Sequence, residues 1–255
     1  MTELLKTTVH GDPNGTPLLI AHGLFGSARN WGVLAKRLSA HRQVIAVDMR
    51  NHGDSFHAAG NSYEDLAGDL AAIIAPFGKM DILGHSMGGK AAMFLALTQP
   101  DLVNRLIVAD IAPIAYPHTQ IDKIKALQAV DLSGVTHRRD VDAMLLDSVP
   151  DPLLRSFLLQ SLKLGDPPSW KLNLEALGNA MREIMDFPHI DAAFAGDTLF
   201  LAGGRSNYIQ MQSTHIIEAK FPNAKTVSIP NAGHWLHAEK PREFEAAVNE
   251  FLSAH

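Results

Sequence analysis

One stretch of the chain carries the strongest chemical signal: Gly84-His85-Ser86-Met87-Gly88-Gly89, a G-x-S-x-G pattern. It follows the short apolar run Lys79-Met80-Asp81-Ile82-Leu83 and precedes a helical pattern from Lys90 to Leu97. Strand, tight turn and helix are the setting in which such a serine serves as a nucleophile. The reason is steric. A serine on a strained turn holds its hydroxyl clear of the backbone, and glycine on either side lets strand and helix pack closely. A helix that starts after Ser86 also turns its N–H groups and positive dipole end toward a reacting carbonyl. The pattern alone occurs in ordinary loops, so its meaning depends on partners elsewhere in the chain.

A serine nucleophile needs a base, an acid that orients the base, and donors for the oxyanion. His234, in Asn231-Ala232-Gly233-His234-Trp235, comes late in the chain and just past the last strand signal. That is where the base belongs in the order serine, acid, histidine. His237 reads as a surface or packing residue. The acid is less direct, because the loop Ala202-Gly203-Gly204-Arg205-Ser206-Asn207-Tyr208 contains no carboxylate. Asp110, which ends the preceding strand Leu106-Ile107-Val108-Ala109, is the candidate instead. Asp191 and Asp197 lie before their strand, on the wrong edge of a sheet. Asp48 opens a turn containing Arg50, Asn51 and Gly53, and reads as the anchor of that turn.

For the oxyanion, His22-Gly23-Leu24 leaves the backbone open after another strand, so the N–H groups of Leu24 and Met87 are the candidate donors. Phe25 replaces Leu24 if the turn is offset by one residue, and the bland reading of the motif is a strand-end turn with a satisfied histidine. Phe25, His85, Ser206 and Trp235 are candidate substrate contacts. His22, His52, His85 and His234 follow different strands and lack ligand spacing such as H-E-x-x-H, so neither a metal site nor a cofactor is expected.

The elements that must position these groups are legible as periodicity. Leu4 to Val9 reads as an edge strand, and Leu18–Ala21, Val44–Val47 and Leu106–Ala109 are the short apolar runs of buried parallel strands. Helical patterns start at Asn30 and at Tyr63. Strands alternating with helices predict an α/β fold, a mostly parallel twisted sheet covered on both faces. From Ile111 to about Ala195 the alternation stops. Ile121–Val130, Val141–Val149, Leu153–Leu164 and Leu174–Met185 read as four helices. Strands resume at Leu199–Leu201 and Val227–Ile229, with helices at Ile209–Lys220 and Pro241–Leu252. The predicted organisation is a core over 1–112 and 196–255 with a helical cap over 113–195, inserted between the sixth and seventh strands. Such an insertion overhangs the crevice at the carboxyl edge of the sheet, either as a lid or as a second packing layer.

Composition excludes several classes. The 255 residues are 46% hydrophobic and 19% charged, with a net charge of −5 and no cysteine. There is no basic footprint for nucleic acid or an anionic membrane, and no disulfide, thiolate metal site or thiol nucleophile. Met1 to Thr8 has no signal-peptide character, and no apolar run reaches spanning length, so a soluble cytoplasmic protein is expected. The expected partner is a small-molecule substrate, with the chain a monomer or weak homo-oligomer and with no nucleic acid or membrane.

Over nearly its whole length the chain resembles the α/β-hydrolase fold family. The matching pieces are His22-Gly23, Asp48-x-Arg50-x-His52-Gly53-x-Ser55, the serine hexapeptide, and Gly233-His234 with Glu239 and Pro241. Within it, His22 to Ser27, Asp48 to Gly53, Ala109-Asp110-Ile111-Ala112-Pro113 and Gly203-Gly204-x-Ser206-x-Tyr208 look most like small bacterial esterases of the YbfF type. The resemblance implies a serine hydrolase of carboxylic esters or acyl thioesters, such as acyl-CoA, with short to medium acyl chains and a helical cap. The usual family acid follows the penultimate strand, where this chain has Ser206 and Asn207. That departure supports Asp110 and leaves Ser206 to assist His234 or a water. A carbon–carbon bond hydrolase, with Arg205 as its only evident charged clamp, and a low-turnover ligand sensor are the alternatives.

Overall fold

The computed structural model describes residues 3–253. The chain opens with β1 (Thr7–His10), β2 (Leu18–Ala21), α1 (Gly32–Leu38), β3 (Val44–Val47) and α2 (Tyr63–Ile74). It continues through β4 (Met80–His85), α3 (Met87–Thr98) and β5 (Val103–Ala109). These strands form one seven-stranded sheet in the order β1-β3-β2-β4-β5-β8-β9, where β8 is Thr198–Gly203 and β9 is Ala224–Ile229. Only β1 is antiparallel, pairing Thr7–His10 with Val47–Val44. The continuous apolar runs in β2, β3 and β4 are buried at every position, as strands covered on both faces must be.

The segment between β5 and β8 differs from expectation in two ways. It leaves the sheet after the fifth strand and returns at the sixth. A single antiparallel strand precedes the parallel set, so the count runs one lower than predicted. It also holds five helices rather than four: α4 (Ile121–Gln128), α5 (Arg138–Met144), α6 (Pro152–Leu158), α7 (Leu174–Asn179) and α8 (Met181–Met185). The predicted third helix stops at Leu158 and passes through a 3-10 turn into a small hairpin, β6 (Leu162–Lys163) with β7 (Ser169–Trp170). The predicted fourth helix breaks at Ala180, which ends α7 and starts α8. After β8 come α9 (Thr214–Lys220), β9, α10 (Leu236–Glu239) and α11 (Pro241–Ser253).

Close packing of β4 on α3 rests on absent side chains. A Cβ at Gly84 would strike the Gly88 carbonyl and the Gly89 Cα, and one at Gly88 would strike the Ala21 and His22 carbonyls of β2. The helix then buries Ala91, Ala92, Met93, Leu95 and Ala96 completely, between the sheet on one side and α2 on another.

The loops after β2 and β3 are tied together by two buried histidines. His22 Nδ1 donates to the Gly23 carbonyl (2.8 Å), which leaves Nε2 to accept the Met49 N–H (2.9 Å). His52 Nδ1 donates to the Arg50 carbonyl (2.8 Å), and its Nε2 accepts the Phe25 N–H (3.2 Å). Asp48 anchors its turn as expected, accepting Ala28 N–H at 2.7 Å and Asp54 N–H at 2.8 Å. Each ring needs one bare nitrogen, so both must stay neutral. Burial pushes His22 down to about 4 and His52 down to about 3, the latter also repelled by His22.

The sign of the pH effect follows. Between these values and the ordinary histidine range the unfolded chain binds protons that the native chain does not, so stability falls as pH falls below about 6.5. Moving from pH 7 to pH 5 is expected to cost on the order of 1–2 kcal/mol for each histidine. Urea unfolding at the two pH values measures this, and an unchanged midpoint would show that the rings are not held neutral.

Candidate active site

The parallel sheet brings the carboxyl ends of β2, β4, β5 and β8 to one edge. Ser86, directly after β4, takes φ 51° and ψ −119°, a left-handed conformation that costs a non-glycine residue roughly 1–3 kcal/mol. Its N–H donates to the Ala109 carbonyl of β5 (3.1 Å), and its own carbonyl accepts Lys90 N–H (2.9 Å). The turn is thus fixed from both sides, with the hydroxyl outside it.

Asp110 ends β5 and is fully buried, also at positive φ (52°). Its own N–H donates to the Leu201 carbonyl at 2.8 Å, which locks the residue to β8. One carboxylate oxygen accepts the Gly203 N–H (2.8 Å); the other accepts His234 Nδ1–H (2.8 Å) and the Ser206 hydroxyl in a short hydrogen bond. His234 Nε2 lies 3.1 Å from Ser86 Oγ. His85 is buried and donates Nε2–H to the His234 carbonyl (2.9 Å). Burial drives its pKa well down, and neighbouring His237 and His234 push it further, which keeps the ring neutral. Tyr208 stacks on the imidazole of His234, with ring centres 3.9 Å apart and planes 20° apart.

Ser86, Asp110 and His234 therefore converge, and Ser206 joins them through the carboxylate. Among the described residues the N–H groups of Leu24 and Met87 have no hydrogen-bond partner. Phe25 does not serve as an offset donor, because His52 takes its N–H. It sits at φ 66°, buried at the cavity wall. A cavity of about 300 Å³ opens onto Ser86, lined by Leu24, Phe25, His85, Trp235 and by Tyr116, Leu154, Phe157 and Met185 of the insertion. Ser206 faces a different hollow, between β8 and α9, and is not among the cavity-lining residues. Its role as a substrate contact is therefore replaced by its bond to Asp110. Arg205 is no clamp either, since it turns outward to pair with Glu239 at 3.0 Å. His237 is a packing residue, stacked on Trp31 with ring centres 4.2 Å apart.

Sequence reasoning missed three participants: His52 as the holder of Phe25, Tyr208 as the plate behind His234, and Lys90. Lys90 is almost completely buried yet lines the cavity, donating to the Met185 and Asp186 carbonyls at 3.0 and 2.6 Å. Its signal was a lysine one turn into an otherwise apolar helix. No group of three or more histidine and carboxylate side chains with metal-binding geometry occurs among the described residues.

This is the fold and strand-edge arrangement of the α/β hydrolases. The sequence pattern of the Alpha/beta hydrolase family matches residues 18–247, and the chain belongs to that family. It is 42% identical to the sn-1-specific diacylglycerol lipase ABHD11 of Mus musculus over 254 residues, covering 95% of this chain and 83% of the relative. It is 35% identical to Esterase YbfF of Escherichia coli over 249 residues, covering 96% of each. A solved marine microorganism esterase superposes with a TM-score of 0.94 at 39% identity, covering 98% of this chain and all of the other.

The Ser206 hydroxyl donates to a buried charge, a hydrogen bond usually worth about 1.5–3 kcal/mol. Ser206→Ala is expected to lower unfolding free energy by about that amount. Equal stability of the variant and wild type in a urea titration would mean that the bond does not form.

Proposed function

We propose that the chain hydrolyses carboxylic esters and acyl thioesters of short to medium acyl chain through an acyl-serine intermediate. One observation carries this: a strained serine 3.1 Å from a histidine that is itself 2.8 Å from a buried aspartate, beside two free N–H groups. The esterase and lipase names of the similar proteins support it.

In this reading His234 Nε2 takes the Ser86 proton as Oγ bonds to the substrate carbonyl carbon. The oxygen gains negative charge and sits against the N–H groups of Leu24 and Met87, where donors fixed in advance cost no reorganisation. Collapse breaks the bond to the alcohol or thiol, which leaves with the proton from His234. Water then repeats the sequence, His234 accepting its proton, and the acid is released with Ser86 restored. Asp110 holds the histidine tautomer and balances the imidazolium, while Ser206 and Gly203 N–H keep the carboxylate aimed. Residues 113–195 act as a cap whose Leu154, Phe157 and Met185 supply apolar wall. None of the steps needs a metal or organic cofactor, and the substrate is a small molecule met by a soluble, cytoplasmic monomer or weak oligomer.

The test is hydrolysis of p-nitrophenyl esters from acetate to palmitate and of acyl-CoA thioesters. Ser86→Ala is expected to reduce kcat by on the order of 10⁴-fold or more and Asp110→Asn by a comparable factor, as triad losses do. Full activity in the folded Ser86→Ala variant would overturn the assignment.

A further inference from the structure

Lys90 has no part in the chemistry above, yet it is the cavity's most deeply buried cation. It sits one helical turn beyond Ser86 on α3, an axial rise of roughly 6 Å. Two of its three N–H donors go to the carbonyls of Met185 and Asp186, and the ammonium lies 4.8 Å from the Tyr116 ring centre. Among the described residues it forms no ion pair. The carboxylate that acts on it, Asp186, is exposed and bonds its own neighbour's Phe187 N–H. No aspartate or glutamate lines the cavity, while a second lysine, Lys123 of α4, does.

A buried cation without a counter-ion is costly unless something anionic joins it. Burial pushes Lys90 down to about 7, against a smaller opposing pull from Asp186, which is how a cation short of negative charge behaves. Its depth also says which part of a substrate would reach it. Lys90 is 2% exposed and stands where hydrogen bonds join α3 to the end of α8, whereas Leu154 and Trp235 wall the other end, which is held mainly by packing. A leaving group departs through the end that opens at least cost, so the Lys90 end holds the acyl part that stays on Ser86.

We propose that this end of the cavity binds a carboxylate on the Lys90 ammonium, so that the preferred substrates are half-esters or half-thioesters of short dicarboxylic acids. The third N–H of Lys90 supplies the charge-assisted bond, and Tyr116 and Ile111 wall the methylene chain. The proposal rests on the ester-hydrolase reading above.

The experiment compares kcat/KM for 4-nitrophenyl hydrogen glutarate with that for 4-nitrophenyl valerate, its uncharged counterpart of equal chain length. Rates are corrected with Ser86→Ala, because the free carboxylate hydrolyses its own ester slowly. Wild type is expected to favour the hemiglutarate about tenfold or more, a ratio that collapses in Lys90→Met. As a check that needs no variant, glutarate should inhibit valerate hydrolysis by wild type far better than valeric acid does. Preference for the neutral ester, an unchanged ratio in Lys90→Met, or loss of the ratio only in Lys123→Met would each overturn the proposal. No turnover of either ester by folded wild type would instead refute the hydrolase reading itself.

Discussion

Contact between two backbones governs this molecule. Gly84 at the end of β4 lies against Gly88 and Gly89 of α3, while Gly88 in turn lies against the carbonyls of Ala21 and His22. No side chain fits in either gap. Strand β4, helix α3 and the end of β2 are therefore held at a separation only glycine allows, and the one residue between strand and helix must turn sharply. Ser86 accepts φ 51° as the consequence. The strain is not spread at random, since Phe25 and Asp110 are also non-glycine residues at positive φ and both stand at the same sheet edge. Strained backbone persists where surrounding structure over-determines it, and of the five non-glycine residues at positive φ, Phe25, Asn51, Ser86 and Asp110 each give their N–H to a neighbouring loop or strand, while the exposed Asn231 is an asparagine, a residue that tolerates this region.

Sheet order explains how Asp110 can stand beside both Ser86 and His234. β5 lies between β4 and β8, so a residue at its end is next to both the serine turn and the loop after β8. An aspartate placed there reaches His234 as readily as one placed a strand further on. The vacated loop keeps a role, because Gly203 N–H and the Ser206 hydroxyl now hold the carboxylate and Tyr208 backs the imidazole. The relatedness of this loop to the acid was visible only as an absence: no carboxylate between Ala202 and Tyr208. Ser206 was legible as an assistant there, but neither its partner Asp110 nor the part of Tyr208 could be read, since a hydroxyl or a ring in a loop has no periodicity to reveal what it touches.

The same limit marks the rest of the sequence reading. Buried parallel strands announce themselves as short apolar runs, and β2, β3 and β4 lay within a residue or two of where those runs stood. The meeting of Ser86, Asp110 and His234 was legible because strand ends are where a parallel sheet collects side chains, so order along the chain constrained position in space. The insertion obeys no such rule. Its helices are short and pack on one another and on α2 and α3, so local pattern could not locate the break at Ala180 or the hairpin that ends the third helix.

That insertion is nonetheless tied to the core at chosen atoms. Lys90 of α3 holds the carbonyls that close α8, Tyr63 of α2 donates to the Ile184 carbonyl at 2.7 Å, and the Tyr116 hydroxyl donates to the Tyr208 carbonyl at 2.6 Å. The Tyr116 link passes directly to the ring that stacks on His234, so the entry to the insertion and that imidazole share one aromatic plate. A hydrogen bond buried away from water is directional and expensive to leave unmade, which makes such links better at fixing position than apolar contact alone. The cavity therefore has a rigid end, where α3, α8 and the β8 loop are joined by named donors and acceptors. Its other end, walled by Leu154, Phe157 and Trp235, is held by packing and by one exposed hydrogen bond, from Asn30 Nδ2 to Gln160 Oε1 at 2.7 Å. Parting the insertion from the core costs least on that side, because water replaces an exposed hydrogen bond at little net cost and apolar surfaces slide without breaking one.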